Sequence, residues 1–290
     1  MTLEQLLAEG EEKMRAAGVP EADLSAWYLL QSCFGKKDFS FGRSDYFMRK
    51  KEEADSSVVN KYFSCVERRI QRVPLEYITG YTEFMGLLFL VDENVLIPRQ
   101  DTETLVEYIS PFCEGKRVLD LCTGSGCIGL SIGVYGKPSH LVLSDVSSGA
   151  LNVAEENRMR LCRDDTISFH TETSLVCGDL FGPVEGMFDV IVSNPPYIES
   201  GIIPGLMPEV RKYEPMAALD GGTDGLAFYR RITQEAPEYL TGGGRLCFEI
   251  GYDQGESVSA LMEERGFEDV AVIKDIAGND RVVCGVWPCV

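Results

Sequence analysis

Apolar residues recur at helical spacing through the first part of the chain. Leu3, Leu6, Leu7 and Met14 mark one face, which Gly18-Val19-Pro20 interrupts. Pro20 suits a first helical turn, and Ala22 to Cys33 continues with Leu24, Trp27, Tyr28 and Leu30. A clearer segment runs from Ala54 to Ile70, with Val59, Tyr62, Phe63, Val66 and Ile70 on one side. Three or four helices are therefore expected before residue 72, packed as a small bundle. Val73-Pro74-Leu75 ends that pattern. Phe84 to Val91 and Val95 to Ile97, separated by Asp92-Glu93-Asn94, then read as two strands of a hairpin.

From residue 101 the pattern alternates between strand and helix. Val118 to Leu121, Leu141 to Ser144, Val176-Cys177, Phe188 to Val192, Arg245 to Ile250, Asp269 to Lys274 and Arg281 to Val286 read as strands. Helices are expected from Asp101 or Thr102 to Ser110, and over Cys127 to Val134, Gly149 to Leu161, Gly225 to Tyr239 and Glu256 to Arg265. About seven strands interleaved with helices predict an open α/β sheet. The domain expectation is a helical unit over 1–72, a linker with a hairpin over 73–100, and an α/β unit over 101–290.

The length of 290 residues suits about two domains. Hydrophobic residues at 44% exclude a disordered or fibrous chain. Twenty-seven basic against 46 acidic residues give a net charge of -19, which opposes long-range attraction to phosphate backbones and anionic lipids. Ten cysteines without a close CxxC pair read as free, partly buried thiols of a reducing cytosol. With only His140 and His170, no histidine-based metal site is expected. Neither a basic start followed by an apolar core nor an apolar run of about 18 residues is visible, so neither a signal peptide nor a membrane span is expected.

Asp120-Leu121-Cys122-Thr123-Gly124-Ser125-Gly126-Cys127-Ile128-Gly129 places GxGxxG directly after a strand. Asp145 closes the next strand. Glycines permit a tight turn and close ligand approach, and an acid at that place can accept from two ribose hydroxyls. The pattern predicts a nucleoside-bearing cofactor. NAD would place its pyrophosphate over the helix start. S-adenosylmethionine, which has no phosphate, would set its amino acid carboxylate on loop donors and its ammonium group toward Asp120. Asp179, in Cys177-Gly178-Asp179-Leu180, could accept from an adenine amino group or simply cap a helix or fix a loop.

Asn194-Pro195-Pro196-Tyr197 follows the strand ending at Ser193, where a strand's carboxyl end meets the ligand crevice. The two prolines stiffen the loop and remove two donors. A planar NH2 group presents two in-plane hydrogens. The Asn194 side-chain oxygen can accept one and the Pro195 carbonyl the other, with Tyr197 lying over the group. A side-chain amide or the amino group of adenine or cytosine fits this cradle. Holding both hydrogens aligns a poorly nucleophilic nitrogen against an electrophilic methyl carbon. The alternative reading is a rigid turn with Asn194 as a cap and Tyr197 as packing.

The chain resembles the protein glutamine-N5 methyltransferases that modify peptide chain release factors. The likeness runs through Pro74-Leu75-Glu76-Tyr77-Ile78-Thr79-Gly80, Phe84-Met85-Gly86-Leu87, Val95-Leu96-Ile97-Pro98-Arg99-Gln100-Asp101-Thr102-Glu103, the glycine loop, Asp145 and Asn194-Pro195-Pro196-Tyr197. It continues at Tyr213-Glu214-Pro215, Ala218-Leu219, Gly221-Gly222-Thr223-Asp224-Gly225-Leu226, Glu249-Ile250-Gly251 and Asp280-Arg281-Val282-Val283. The resemblance implies an open seven-stranded Rossmann-like methyltransferase sheet, a helical amino-terminal domain and a β-hairpin connection. It implies S-adenosyl-L-methionine as methyl donor, a release factor as partner, whether free or on the ribosome, and the glutamine of a Gly-Gly-Gln loop as acceptor. Asn194, Pro195 and Tyr197 would carry catalysis, with Pro196, Pro98 and Arg99 also touching substrate. Asp120, Cys122, Thr123, Gly124, Gly126, Asp145, Asp179 and Asn194 would line the donor site. The expected setting is the cytoplasm, without a membrane and without sequence-specific nucleic acid binding.

Arg99 could hold a backbone carbonyl of the incoming loop or pair with a local carboxylate. Arg281 is open to the same two readings, and Glu214 and Asp224 read as loop-fixing residues. Cys122 stands where the family usually has glycine, which crowds the first turn of the loop. A covalent role for it is not expected, since methyl transfer to an amide needs no protein intermediate. The rival readings are methylation of an exocyclic amino group in nucleic acid, of a ribosomal-protein glutamine, a noncatalytic binding module and a nicotinamide dehydrogenase. The acidic surface and the absence of a basic target-reading domain oppose the first.

Overall fold

A computed structural model describes residues 1–34 and 41–289. The chain divides into two compact units, Met1–Tyr81 with Met207–Tyr213, and Thr82–Leu206 with Glu214–Val290.

In the first unit α1 (Leu3–Ala16), α2 (Ala22–Phe34), α3 (Arg43–Arg49), α4 (Ser56–Ile70) and α5 (Leu75–Thr79) follow in order. A capping box starts α1. The Thr2 hydroxyl accepts from Gln5 N at 3.3 Å, and Thr2 N donates to Gln5 Oε1 at 3.0 Å. Leu6, Met14, Leu29, Leu30, Tyr62 and Val66 are buried together, so the apolar stripes seen in the sequence form one core. Two short helices are additions to the sequence reading. α3 buries no residue and so carries no clear apolar stripe. Pro74 occupies the N-cap of α5, because a helix start needs no proline N–H; the break read at Val73-Pro74-Leu75 is a helix start.

A two-stranded sheet of β1 (Tyr81–Phe84) and β2 (Leu87–Leu90) follows, all but Tyr81 in the second unit. This moves the hairpin from its expected place. Met85 at φ 54 and Gly86 at φ 69 form the turn, with the paired positive φ values that match strand twist in tight hairpins. Val95 to Ile97 runs on without joining the hairpin.

Then come α6 (Glu103–Ile109), β3 (Arg117–Leu121), α7 (Cys127–Tyr135), β4 (His140–Asp145), α8 (Ser148–Arg163), β5 (Glu172–Cys177) and β6 (Phe188–Ser193). After α9 (Pro208–Tyr213), which belongs to the first unit, follow α10 (Ala227–Glu235), β7 (Leu240–Glu249), α11 (Gly255–Arg265), β8 (Glu268–Lys274) and β9 (Asp280–Val286). The seven strands stand in the order β5-β4-β3-β6-β7-β9-β8. β3 to β7 pair in parallel, while β9 runs antiparallel to β7 and β8. Strand order reverses between β3 and β6, which opens a crevice at their carboxyl ends.

Both faces of this sheet are covered, so its inner strands read as continuous apolar runs. Val118, Val190, Val192 and Leu143 pack on one side with Leu105, Ile128 and Leu130. Leu119, Ile191, Leu246 and Phe248 pack on the other with Tyr229, Ile232, Val258 and Met262. Cys247 and Cys284 depart from the expectation of free thiols. They are direct partners across β7 and β9, with Cα atoms 4.1 Å apart, and are joined by a disulfide.

Candidate active site

The glycine loop leaves β3 and enters α7. Asp120 lies beneath it, wholly buried. Its Oδ2 accepts from the Thr123 hydroxyl at 2.6 Å and from Gly129 N at 2.9 Å. Its Oδ1 is buried without a partner among the described residues. Burial pushes the Asp120 carboxyl up to about 7, against the two hydrogen bonds. Gly124 at φ 55 and Gly126 at φ 79 supply the left-handed turns, which L side chains adopt at a cost. Cys122 takes φ 58 without that freedom. This explains physically why a glycine would suit the position, and implies about 1 kcal/mol of local strain. Burial, then the nearby Asp145 charge, pushes the Cys122 thiol up to about 12, so it stays protonated.

Asp145 ends β4 beside this loop. One carboxylate oxygen accepts from Gly124 N and the other from Ser147 N, each at 2.9 Å. Burial raises its pKa while these backbone donors lower it. Asn157 braces the loop from outside. Its side chain bonds both backbone groups of Leu90 in the hairpin and donates to Ser125 O at 2.9 Å. The hairpin is thereby fastened to the loop, a link that periodicity alone could not reveal.

The loops meet around a cavity of about 370 Å³. Pro98, Arg99, Cys122, Thr123, Gly124, Asp145, Asp179, Asn194 and Pro196 all line it. Asp120, Gly126, Pro195 and Tyr197 do not; Gly126, Pro195 and Tyr197 are next in sequence to lining residues, and Asp120 is bonded to one, Thr123. Arg99 donates to the buried Glu214 carboxylate at 2.5 Å, so of its two readings the local ion pair is the one present. Asp179 pairs with Arg231 at 2.7 Å, and both face the cavity. Arg281 pairs with Asp101 and Asp275, each at 3.2 Å, and Asp224 pairs with Arg230.

Tyr197 closes the proline loop and is held through its backbone. Gln254 donates to Tyr197 O at 3.1 Å and to Gly225 O at 3.4 Å, and accepts from Gly251 N at 2.9 Å. Gly225 sits at φ 71, where a Cβ would lie 2.4 Å from Tyr197 O. Burial raises the Tyr197 phenol pKa, so the ring is a neutral surface. Gln254 and Arg231 carry no signal in the sequence, and Thr102 and Glu249 enter it only as a helix start and as members of longer runs. Gln254 and Arg231 act through Tyr197 and Asp179, partners far along the chain that spacing does not encode.

The residues present fit a nucleoside-bearing methyl donor. The loop is glycine-turned, a carboxylate ends β4, and a buried Asp120 oxygen stands unpartnered. A methyltransferase small domain model matches residues 99–203, and a PrmC N-terminal domain model matches residues 5–80. A methyltransferase from Pyrococcus furiosus superposes with a TM-score of 0.51 at 21% identity, covering 71% of this chain and 91% of that one. Fold and crevice together define a Rossmann-like methyltransferase. Among curated relatives, a release factor glutamine methyltransferase of Clostridium acetobutylicum is 42% identical over 89% of each chain. That of Clostridium botulinum is 39% identical over 98% of each. The chain belongs to the release factor glutamine methyltransferase family.

Proposed function

We propose that this enzyme transfers a methyl group from S-adenosyl-L-methionine to the side-chain amide nitrogen of the glutamine in a Gly-Gly-Gln loop of peptide chain release factors. The observation that carries the reading is that Asn194 and Pro196 line the same crevice as Gly124 and Asp145. This supports a reading in which the Asn194 side of an amide cradle borders the space that a nucleoside loop also borders.

The donor, when bound, supplies an electrophilic methyl on a sulfonium whose departure as a neutral thioether needs no acid. Asp145 holds the ribose hydroxyls. Asp120, Cys122, Thr123, Gly124 and Gly126 shape the methionine end, and Asp179 accepts from the adenine amino group. On the acceptor side, Asn194 Oδ1 and the Pro195 carbonyl take the two amide hydrogens, and Tyr197 covers the planar group. With both hydrogens fixed, the nitrogen is aligned, and the acceptors stabilise positive charge as it develops there. After transfer the cationic N-methyl amide, a strong acid, gives one N–H proton to solvent, so the loop needs no strong base. Pro98 and Arg99, held by Glu214, border the entry of the glutamine loop. The helical unit and the hairpin serve as docking elements for the factor.

The test is incubation with labelled donor and a release factor bearing Gly-Gly-Gln, followed by site-resolved mass spectrometry. One methyl on the glutamine nitrogen is expected; transfer to a nucleic acid amino group instead would overturn the reading. Asn194→Ala should lower kcat about 100-fold or more while leaving donor affinity within about threefold.

A further inference from the structure

Asn194 and Glu249 follow from one register. Ser193 of β6 pairs with Phe248 of β7, so the next residues leave neighbouring parallel strands side by side. Asn194 lines the crevice and Glu249 does not. Glu249 is 1% exposed, and its Oε2 has no partner in hydrogen-bond geometry among the described residues. The Thr102 hydroxyl is buried and unpartnered in the same sense. Thr102 and Asn194 both lie close enough to the Glu249 carboxyl to favour its charged form.

We propose that Glu249 is a positioning residue that sets which end of the Asn194 amide faces the substrate. The proposal rests on the glutamine reading of the crevice. A primary amide is a donor at one end and an acceptor at the other. A carboxylate only accepts, so it draws the Asn194 NH2 toward itself and leaves Oδ1 for the substrate hydrogens. A protonated Glu249 can donate to Oδ1 instead. The amide would then turn its NH2 toward the substrate NH2, two donors face to face.

Burial pushes Glu249 up to about 7, with Asp101 acting in the same sense; Thr102, Arg281 and Asn194 oppose it. The other groups that feel its charge are Tyr197, Tyr229 and Cys127. Burial raises all three, so they keep their protons through neutrality. Loss of the Glu249 charge below about 7 should therefore appear as an acid limb in kcat. Asp120 is also pushed to about 7, but it lies under the glycine loop, and a limb due to it would survive replacement of Glu249.

The experiment compares wild type, Glu249→Gln and Glu249→Asp by kcat across pH 5.5 to 9, donor affinity and Tm. For Glu249→Gln we expect kcat about 10–100-fold lower at pH 8, donor affinity within about threefold and loss of the acid limb. Glu249→Asp should keep the limb and recover part of the turnover. Wild-type kcat with an unchanged limb in Glu249→Gln would overturn the proposal, as would equal losses in turnover and donor affinity. Should the glutamine variant not fold, Glu249→Asp decides: reduced kcat with the limb retained supports the proposal, and a lost limb refutes it. A wild-type enzyme that methylates no glutamine would sink the functional reading itself, a separate outcome.

Discussion

Gly225→Ala tests how the proline loop is held. Gly225 takes φ 71, and a Cβ there would sit 2.4 Å from the Tyr197 carbonyl oxygen and 2.7 Å from Gln254 Nε2. Forcing a left-handed backbone on alanine costs about 1–2 kcal/mol. The clash adds an overpacking cost of about 1–3 kcal/mol, since a backbone carbonyl gives way less easily than a flexible side-chain tip. Together these amount to about 2–5 kcal/mol, or a Tm loss of roughly 3–8 °C at this chain length. The chain relieves the clash by moving the Tyr197 carbonyl, which displaces the Asn194-Pro195 cradle two to three residues upstream. We expect a kcat loss of about tenfold or more at a temperature where the variant is folded, with donor affinity nearly unchanged. Calorimetry, donor titration and single-turnover methyl transfer measure the three quantities. A variant with wild-type Tm and kcat would refute the inferred rigidity of the Gly225–Tyr197 contact.

Asp145→Asn replaces an acceptor of two backbone N–H groups with a side chain that can accept only at one end. Donor affinity should fall about 10–100-fold by titration calorimetry. In the helical unit, Glu209 takes a bidentate pair from Arg72 at 2.6 and 2.7 Å and a third bond from Arg69 at 3.0 Å. Glu209→Ala should cost about 2–4 kcal/mol by urea unfolding, because it strands two cations in a largely buried site. Burial opposes charge on Glu209, yet the Arg72 and Arg69 bonds prevail and lower its pKa. Its contribution is therefore complete above the unfolded carboxylate value of about 4.3 and disappears as pH falls through the lower folded value. The stability gap between wild type and variant should close in that acid window.

Most of the fold was legible because its signals are local. The stripes of α1, α2 and α4 and the apolar runs of β3, β4 and β6 need only periodicity. The hairpin was misplaced by several residues because Met85 adopts a left-handed conformation that its side chain does not advertise. α9 was not foreseen either: the Glu209 network that fixes it draws on Arg69 and Arg72, distant in sequence. The site divides in the same way. Asp145, the glycine loop and Asn194 to Tyr197 are contiguous motifs at strand ends, and the crevice assembles most of them. Glu249 was seen only as part of a family pattern, because its position beside Asn194 depends on the β6–β7 register. The Cys247–Cys284 pairing depends likewise on the β7–β9 register.

The central claim is that two fixed oxygen acceptors hold a planar amide for methylation. A crystal structure with S-adenosylhomocysteine and a Gly-Gly-Gln peptide tests it most directly. Asn194 Oδ1 and the Pro195 carbonyl oxygen should both lie about 2.7–3.2 Å from the glutamine amide nitrogen. An amide seated elsewhere, with those two oxygens directed away from it, would contradict the account.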